Sequence, residues 1–257
     1  MRMPLAPRPL QRSIGGENIM KVLKMNLPTE FDLSDLSRID LFRNLPPADL
    51  RRLGELLHRK TFPAGKSLMM VDQTGEVVYF ILSGAVKVHV EQEDGSDVSI
   101  SILGPGEVIG EMSALDQTDR SASVVTLEET TLLWMDREAF RRCVVAIPAL
   151  AADLACTLSA RMRSANEQIQ SLAAVEVETR IARRILAFAE KYGQPLPNGD
   201  LLIPIRLTQT DIASLVGASR EHTNKILVSY KERGYLSVDH NYHITIHDQT
   251  ALARRCN

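Results

Sequence analysis

The feature that most constrains the fold is a series of short apolar runs, cut by turn residues, between about residues 59 and 136. The three clearest runs are Val77–Leu82, Ala85–Val90 and Val98–Leu103, separated by Ser83-Gly84 and by Glu93-Asp94-Gly95. Apolar residues alternate within two of them, at Val86, Val88 and Val90 and at Val98, Ile100 and Ile102. This alternation predicts a β meander with one buried face, and Asp-Gly predicts a hairpin turn. His89 has the opposite parity, so we expect it to face solvent.

A long helix is predicted to follow this meander. Pro148 suits the first turn of a helix, and apolar residues then recur at alternating four- and three-residue steps: Leu158, Met162, Ala165, Ile169 and Leu172. The other faces are polar, with Arg161, Arg163, Glu167 and Gln168. So narrow a stripe favours pairing with a second copy of the chain, and packing against its own domain is the alternative. A second helical run covers Ile181–Phe188.

The segment Leu207–Leu227 has the pattern of two short helices joined by a tight turn. Thr208 and Ser219 are natural N-caps, and Gly217 permits the turn between the helices. The expected core positions are Ile212, Leu215, Ile226 and Leu227. This pattern predicts a helix-turn-helix. Two strands, Tyr235–Val238 and Tyr242–Ile246, follow as a wing, with His243 on its surface.

The second of these helices carries Arg220, Glu221 and Lys225 near its exposed N-terminal end. Arg and Lys suit the guanine edge and Glu suits the cytosine amine, so this helix is expected to enter the major groove of DNA. The candidate DNA-contacting residues are Thr208, Thr210, Ser219, Arg220, Glu221 and Lys225. The alternative is an ordinary solvated helix surface.

A second group of residues suits an anion. Gly104, Gly106 and Gly110-Glu111 follow the meander strands, and Arg120-Ser121-Ala122 comes soon after. Backbone N–H groups at a tight turn, a planar guanidinium and a serine hydroxyl are donors for phosphate oxygens, and Glu111 can accept from sugar hydroxyls. A surface Glu–Arg pair beside a turn is the alternative.

The string Val108-Ile109-Gly110-Glu111-Met112-Ser113-Ala114-Leu115, followed by Arg120-Ser121-Ala122, resembles the phosphate-binding cassette of a cyclic-nucleotide-binding domain. Residues 40–175 as a whole resemble the cyclic-AMP receptor protein branch of the CRP/FNR superfamily. The resemblance implies that Gly110, Arg120, Ser121 and Ala122 hold the cyclic phosphate and that Glu111 holds the ribose 2′-hydroxyl.

The long helix contributes to the purine site in that family, commonly with Thr followed by Ser or Asn. The matching pair here is Ala165-Asn166, in which Asn166 can bond a base edge and Ala165 cannot. The helix-turn-helix also resembles that of the family, with Arg220 and Glu221 at matching positions. Lys225 stands where the branch typically has Arg.

Composition and charge are compatible with these assignments. The chain is 44% hydrophobic and 24% charged, and its net charge of −2 is unevenly distributed. Residues 1–26 carry 5 Lys/Arg and 1 acidic residue, residues 27–174 carry 14 and 22, and residues 175–257 carry 11 and 9. Three separated cysteines suggest neither disulfides nor a zinc or iron–sulfur site. No apolar segment is long enough for a membrane span or a secretory signal, so we expect a cytoplasmic protein.

We therefore predict an α+β fold. Its parts are a flexible basic tail at 1–26, a cyclic-nucleotide-binding β-roll at 27–147, a dimerisation helix at 148–174 and a winged helix-turn-helix at 175–257. The expected function is a homodimeric transcription regulator that responds to a cyclic nucleotide, with cAMP as the first choice. It would bind a pseudo-palindromic DNA operator and contact RNA polymerase.

Three alternatives stay open. One is a regulator that acts without a ligand, another is a regulator that binds a different ligand such as cyclic di-GMP, and the third is a β-roll that regulates an effector protein instead of DNA. We predict no catalytic residues and no metal, because the sequence has no nucleophile–base pair, ligand cluster or phosphate-binding loop of the nucleotide hydrolases. A haem sensor is disfavoured because His58 and His89 have no evident partner.

Overall fold

The computed structural model describes residues 33–92 and 97–256. By their internal contacts, all of the described residues belong to one compact unit. Two predictions therefore lie outside the described residues, namely the flexible tail at 1–26 and the turn at Glu93-Asp94-Gly95.

The N-terminal part of the described chain, residues 33–147, is a β-roll with helices at both ends. Two helices, α1 (Leu33–Ser37) and α2 (Pro47–Gly54), precede the strands, and a short 3-10 turn, Asp40–Phe42, lies between them. The strands are β1 (His58–Phe62), β2 (Ser67–Met69), β3 (Val77–Ser83), β4 (Val86–Glu91), β5 (Asp97–Leu103), β6 (Val108–Ile109), β7 (Ser123–Thr126) and β8 (Thr130–Asp136). Helix α3 (Glu111–Asp116) lies between β6 and β7, and α4 (Arg137–Ala146) follows β8.

The eight strands form two antiparallel sheets. One has the order β1-β8-β3-β6 and the other the order β2-β7-β4-β5, so β5 is an edge strand. Strand β3 is almost wholly apolar and buried, as expected for a strand covered on both faces. Its Phe80 packs against Phe42, with ring centroids 4.7 Å apart, and against Phe140 of α4. The core of this part therefore lies between β3 and the flanking helices.

The predicted single buried face of β5 is wrong. Val98 and Ile100 are 48% and 46% exposed, whereas Ser99 is buried. The pairing of β4 with β5 passes from Val88↔Ser101 to His89↔Ser99, so Ile100 is the extra residue of a β-bulge. A bulge reverses the inside–outside alternation beyond it. The strand is still paired as a meander predicts. Before the bulge, however, Ser99 points inward and Val98 points outward.

The prediction that His89 faces solvent is also wrong. Its side chain is only 15% exposed, and its Nδ1 is buried without a hydrogen-bond partner among the described residues. His89 shares a face with its cross-strand partner Ser99, whose backbone N–H donates to the Ser214 hydroxyl at 2.9 Å. A helix of the C-terminal part therefore lies along the open edge of β5 beside these residues.

The remaining elements begin with α5 (Pro148–Ala174), a helix of 27 residues with Pro148 in its first turn. The C-terminal part, residues 175–256, continues with α6 (Val177–Tyr192), β9 (Gln194–Pro195), β10 (Leu201–Ile203), α7 (Gln209–Val216), α8 (Arg220–Glu232), β11 (Leu236–Val238), β12 (Ile244–Ile246) and α9 (Gln249–Ala253). Its strands form one sheet in the order β11-β12-β10-β9, and a 3-10 turn ends the described chain at Arg254–Cys256.

The two parts share one apolar cluster. Ala85, Ile102 and Leu127 of the β-roll pack in the same cluster as Ile185 of α6 and Ile205. The C-terminal part thus lies against the β-roll of its own chain. Among the described helices, none is by itself long and apolar enough to cross a membrane; one sharply bent pair, α4 with α5, meets the test of length and composition.

Candidate ligand-binding and DNA-binding sites

Gly110 begins the first site, at the junction of β6 and α3. Its φ of +81° lies in the left-handed region, which glycine adopts without strain. A Cβ atom at this position would lie 2.5 Å from the nearest Arg120 guanidinium nitrogen. The sequence therefore needs glycine here both for the turn and for the close approach of Arg120.

Arg120 is buried beneath this turn. Its Nη1 donates to the Gly110 carbonyl at 2.9 Å and to the Ser113 hydroxyl at 2.7 Å, and its Nη2 donates to the Val77 carbonyl at 2.5 Å. Burial lowers the pKa of Arg120, and burial likewise raises the pKa of the neighbouring Tyr79 to about 12. These bonds fix the guanidinium under α3 and leave it a desolvated positive charge at the centre of the predicted cassette.

Glu111 is also buried, with 2% of its side chain exposed. Its partner is Arg161 of α5, whose Nη1 lies 2.6 Å from the Glu111 Oε1. The Nη2 of the same guanidinium donates to the Val108 carbonyl at 2.6 Å. Sequence reasoning placed Arg161 only on the flank of the apolar stripe. Because 50 residues separate the two charges, nothing local in the sequence indicates their contact.

The structure does not bring all the predicted ligand residues to one point. Ser121 is exposed and Ala122 half-buried, both directly after Arg120 and before β7. Asn166 is exposed on α5, about 140° around the helix from Arg161. Its assignment to the purine therefore stays a prediction that depends on a second copy of the chain.

A charged network missed by sequence reasoning joins this site to the C-terminal part. Glu107, 6% exposed, accepts from the Gly104 N–H at 3.0 Å and from Lys191 Nζ at 2.6 Å, and it is hydrogen-bonded to the Tyr192 hydroxyl. Burial and the adjacent Glu107 carboxylate raise the pKa of Tyr192 well above its usual value. Arg161 lies 3.9 Å from Glu107, so it stands between the two buried carboxylates.

The second site is the helix-turn-helix, and its local predictions are confirmed. Thr208 caps α7 in a reciprocal capping box with Asp211, and Ser219 caps α8 by accepting from the His222 N–H at 3.2 Å. Gly217 ends α7 in the left-handed conformation, φ +62°. A Cβ there would also lie 2.9 Å from Leu172 of α5, so this turn packs tightly on the long helix.

The predicted DNA-contacting residues differ in how free their side chains are. Arg220, Glu221 and Lys225 are exposed in the first turns of α8, and Lys225 lies 3.2 Å from Glu221. An exposed pair of this kind contributes little stability, so both side chains remain available. Thr210 is exposed, whereas the Thr208 hydroxyl is engaged with Asp211.

Family models match both parts of the described chain. Residues 59–146 match the family model "Cyclic nucleotide-binding domain", and residues 179–255 match "Crp-like helix-turn-helix domain". A "CRP-like cAMP-activated global transcriptional regulator" of Mycobacterium tuberculosis is 33% identical over 86% of this chain and 97% of its own. The chain belongs to the CRP/FNR superfamily.

A second relative and one solved structure are also similar to this chain. The "Cyclic AMP receptor protein" of Thermus thermophilus is 31% identical over 76% of this chain and 86% of its own. The solved structure of FixK2 from Bradyrhizobium japonicum superposes with a TM-score of 0.69 at 17% identity, covering 78% of this chain and 98% of that one, and it shows a shared fold. This CRP/FNR member therefore combines a cyclic nucleotide-binding domain with the DNA-binding helix-turn-helix of a transcription regulator, in the predicted α+β architecture.

The three regions of CRP/FNR architecture correspond to particular elements of this chain. The cassette residues lie at the β6–α3 turn and before β7, the long helix is α5, and the helix-turn-helix is α7 with α8. Within residues 33–92 and 97–256, no group of three or more His, Cys, Asp or Glu side chains is arranged to hold a metal ion.

Proposed function

We propose that this regulator binds cAMP at the cassette and that the ligand controls DNA binding through Arg161. The observation that carries the proposal is the Arg161–Glu111 ion pair at 2.6 Å. Glu111 is the residue assigned to the ribose hydroxyl, and Arg161 lies on the helix that leads to the DNA-binding part. A ligand can change a conformational equilibrium only by contacting its states differently.

The proposed coupling follows the charged network. A ribose hydroxyl that donates to Glu111 competes with the Arg161 guanidinium for the same carboxylate. Arg161 then interacts more strongly with Glu107, whose other partners, Lys191 and Tyr192, belong to α6. The cyclic phosphate is assigned to Gly110, Arg120, Ser121 and Ala122, and Asn166 to the purine across a dimer.

The proposed active species is a homodimer paired along α5. Support comes from the apolar side chains that α5 leaves exposed in one protomer: Met162 at 68%, Ile169 at 65% and Leu172 at 44%. Pairing of two copies would bury them and place two copies of α8 in successive major grooves about 34 Å apart. Thr208, Thr210, Ser219, Arg220, Glu221 and Lys225 are assigned to the operator, and RNA polymerase is the proposed downstream partner.

One observation favours a second candidate, a regulator that needs no cyclic nucleotide. Both terminal nitrogens of Arg120 already donate to protein acceptors, and Glu111 is already paired. In addition, Ala165 lacks the hydroxyl that the resemblance leads one to expect at the purine. In this candidate the cassette is a structural junction, and α8 binds its operator at all times.

The deciding experiment measures cAMP affinity by calorimetry with and without operator DNA selected by the full-length protein from a random pool. Coupling is reciprocal, so operator must change cAMP affinity by the same factor as cAMP changes operator affinity. Parallel titrations with cyclic GMP and cyclic di-GMP identify the base. If cAMP bound with equal affinity with and without operator, the coupling would be refuted and the ligand-independent candidate would stand. The same conclusion would follow if none of the three nucleotides bound.

A further inference from the structure

A groove lies between the second half of α5 and the first turns of α6, and the last turn of α7 closes one end. Its volume is about 250 Å³, which is room for a small molecule. Its polar lining includes Ser164, Gln168, Ser171, Arg180, Arg183 and Arg184. None of these six residues belongs to the cassette or to the proposed DNA-reading face.

Three arginines from α6 line this groove, and their protein partners are neutral. Arg180 donates to the Leu172 carbonyl at 3.3 Å, and Arg184 donates to the Gln168 side-chain oxygen at 2.9 Å. Arg183 donates to the backbone carbonyl of Cys256, at 2.6 Å from its Nη2. None of the three has a carboxylate oxygen within 4.0 Å in the described part of the chain.

Two of these arginines are partly shielded from water and have no anionic partner among the described residues. The Nε of Arg180 is buried and has no hydrogen-bond partner anywhere in residues 33–92 and 97–256. Burial lowers the pKa of Arg184, and no carboxylate of the described chain offsets that effect. A buried donor without a partner and a desolvated charge without a counter-charge both cost free energy, and an anion in the groove would supply the missing counter-charge.

The opposite wall supplies further donors and one negative charge. Ser164 and Ser171 of α5 line the groove, and their hydroxyls bond no other described residue. Glu167, also on α5, is exposed and reaches no cationic group within 4.0 Å among the described residues. Three guanidinium groups and one carboxylate give the groove a net charge of about +2, which matches a dianion such as a phosphomonoester.

We infer that this groove is a second ligand site, which takes a small phosphate-bearing molecule between α5 and α6. Arg180 and Arg184 would hold the phosphate oxygens in fork geometry, and the serine hydroxyls would complete the donor set. The apolar side chains of Leu172, Leu215 and Val216 would contact the rest of the molecule. This inference does not depend on the cAMP assignment.

A molecule bound in this groove would influence the angle between α5 and α6. Only Val175 and Glu176, both extended, separate α5 from α6. A phosphate bonded to Arg180 and Arg184 on one side and to one of the two serines on the other, which lie about 10 Å apart along α5, would join the two helices across this break. The polar groove residues of α5 lie about 130° around the helix from the centre of the exposed apolar stripe, so a partner protomer paired there leaves them accessible. Leu172 lies at the border between the two surfaces.

The test is calorimetric titration of the full-length protein with inorganic phosphate and with pyrophosphate, at constant ionic strength. We expect pyrophosphate to bind with one site per chain in the presence of saturating cAMP. The Arg180→Gln/Arg184→Gln double variant should bind about tenfold or more weakly, because two charge-assisted interactions are lost. The matched control is Arg142→Gln/Arg254→Gln, which removes the same charge from exposed sites and should bind as the parent chain does.

Thermal melting without added anion checks that the double variant folds. If it does not, Arg180→Lys/Arg184→Lys replaces it, retaining the charge and losing the fork, and is expected to weaken pyrophosphate binding several-fold. No pyrophosphate binding by the parent chain would overturn the inference, as would equal loss in the control. An effect of the double variant on the salt dependence of DNA binding alone would assign these arginines to DNA phosphates and would also overturn it.

Discussion

Arg161 of the long helix α5 lies 2.6 Å from the buried carboxylate of Glu111, so the proposed ligand cassette and α5 are joined within one chain. Arg161→Met leaves that carboxylate without its counter-charge. We expect a loss of about 2–4 kcal/mol in the free energy of unfolding, because an unpaired buried charge is costly. Urea denaturation followed by circular dichroism measures it.

The control is the double variant Arg161→Met/Glu111→Gln, which removes both charges. It should recover much of the lost stability, since no buried carboxylate remains at position 111. Additivity of the two single effects within about 0.5 kcal/mol would show that the pair does not interact energetically.

A second prediction concerns Arg120. Arg120→Ala should weaken cAMP binding about tenfold or more, because a charge-assisted contact to the phosphate is worth about 1.5–3 kcal/mol. Calorimetry gives the affinity. Arg59→Ala, which removes an arginine of β1 that is 43% exposed, is the matched control.

Because Arg120 also supports three protein acceptors, its removal should lower stability as well. Arg120→Lys keeps the charge and loses the fork, and should bind cAMP with intermediate affinity. If folded Arg120→Ala bound cAMP as tightly as the parent chain, the phosphate assignment would be wrong.

A third prediction tests the exposed stripe of α5. Ile169→Asp should make the protein monomeric at micromolar concentration, because pairing would bury an uncompensated charge. Sedimentation velocity measures the change. Gln170→Asp adds the same charge one residue further on, away from the stripe, and should leave the dimer intact. A fully dimeric Ile169→Asp variant would place the interface elsewhere.

A fourth prediction concerns the reading face. Arg220→Ala should reduce discrimination at one operator position by about 1–3 kcal/mol, whereas affinity for unrelated DNA should change little. Competition binding with operators altered one base pair at a time measures it. A uniform fall across all sequences, with a shallower salt dependence, would instead make Arg220 a phosphate contact.

Local signals in the sequence predicted the helix-turn-helix well. The caps at Thr208 and Ser219 and the turn at Gly217 depend on neighbours within a few residues, so propensity and capping chemistry suffice. The inward face of β5 was predicted wrongly because one extra residue, Ile100, reverses the alternation, and no residue type indicates a bulge at that position.

The charged network could not be predicted for a different reason. Glu107 contacts Lys191, which is 84 residues away in the sequence, and Arg161 contacts Glu111, which is 50 residues away. Charged residues are usually solvated, so a sequence alone gives no cause to place these four together. Only the docking of α5 and α6 against the β-roll creates the contacts.

The contact of Ser214 with β5 has a consequence for the handling of this protein. The Ser214 hydroxyl accepts from the Ser99 N–H and donates to the Asp97 carbonyl, so α7 occupies backbone groups of an edge strand. Any movement of α7 away from the β-roll uncovers the backbone edge of β5, a strand whose Val98 and Ile100 side chains are already exposed. A bare apolar edge is a template for pairing with another chain. The domain motion that would regulate transcription thus carries a built-in risk of aggregation, which rises with protein concentration.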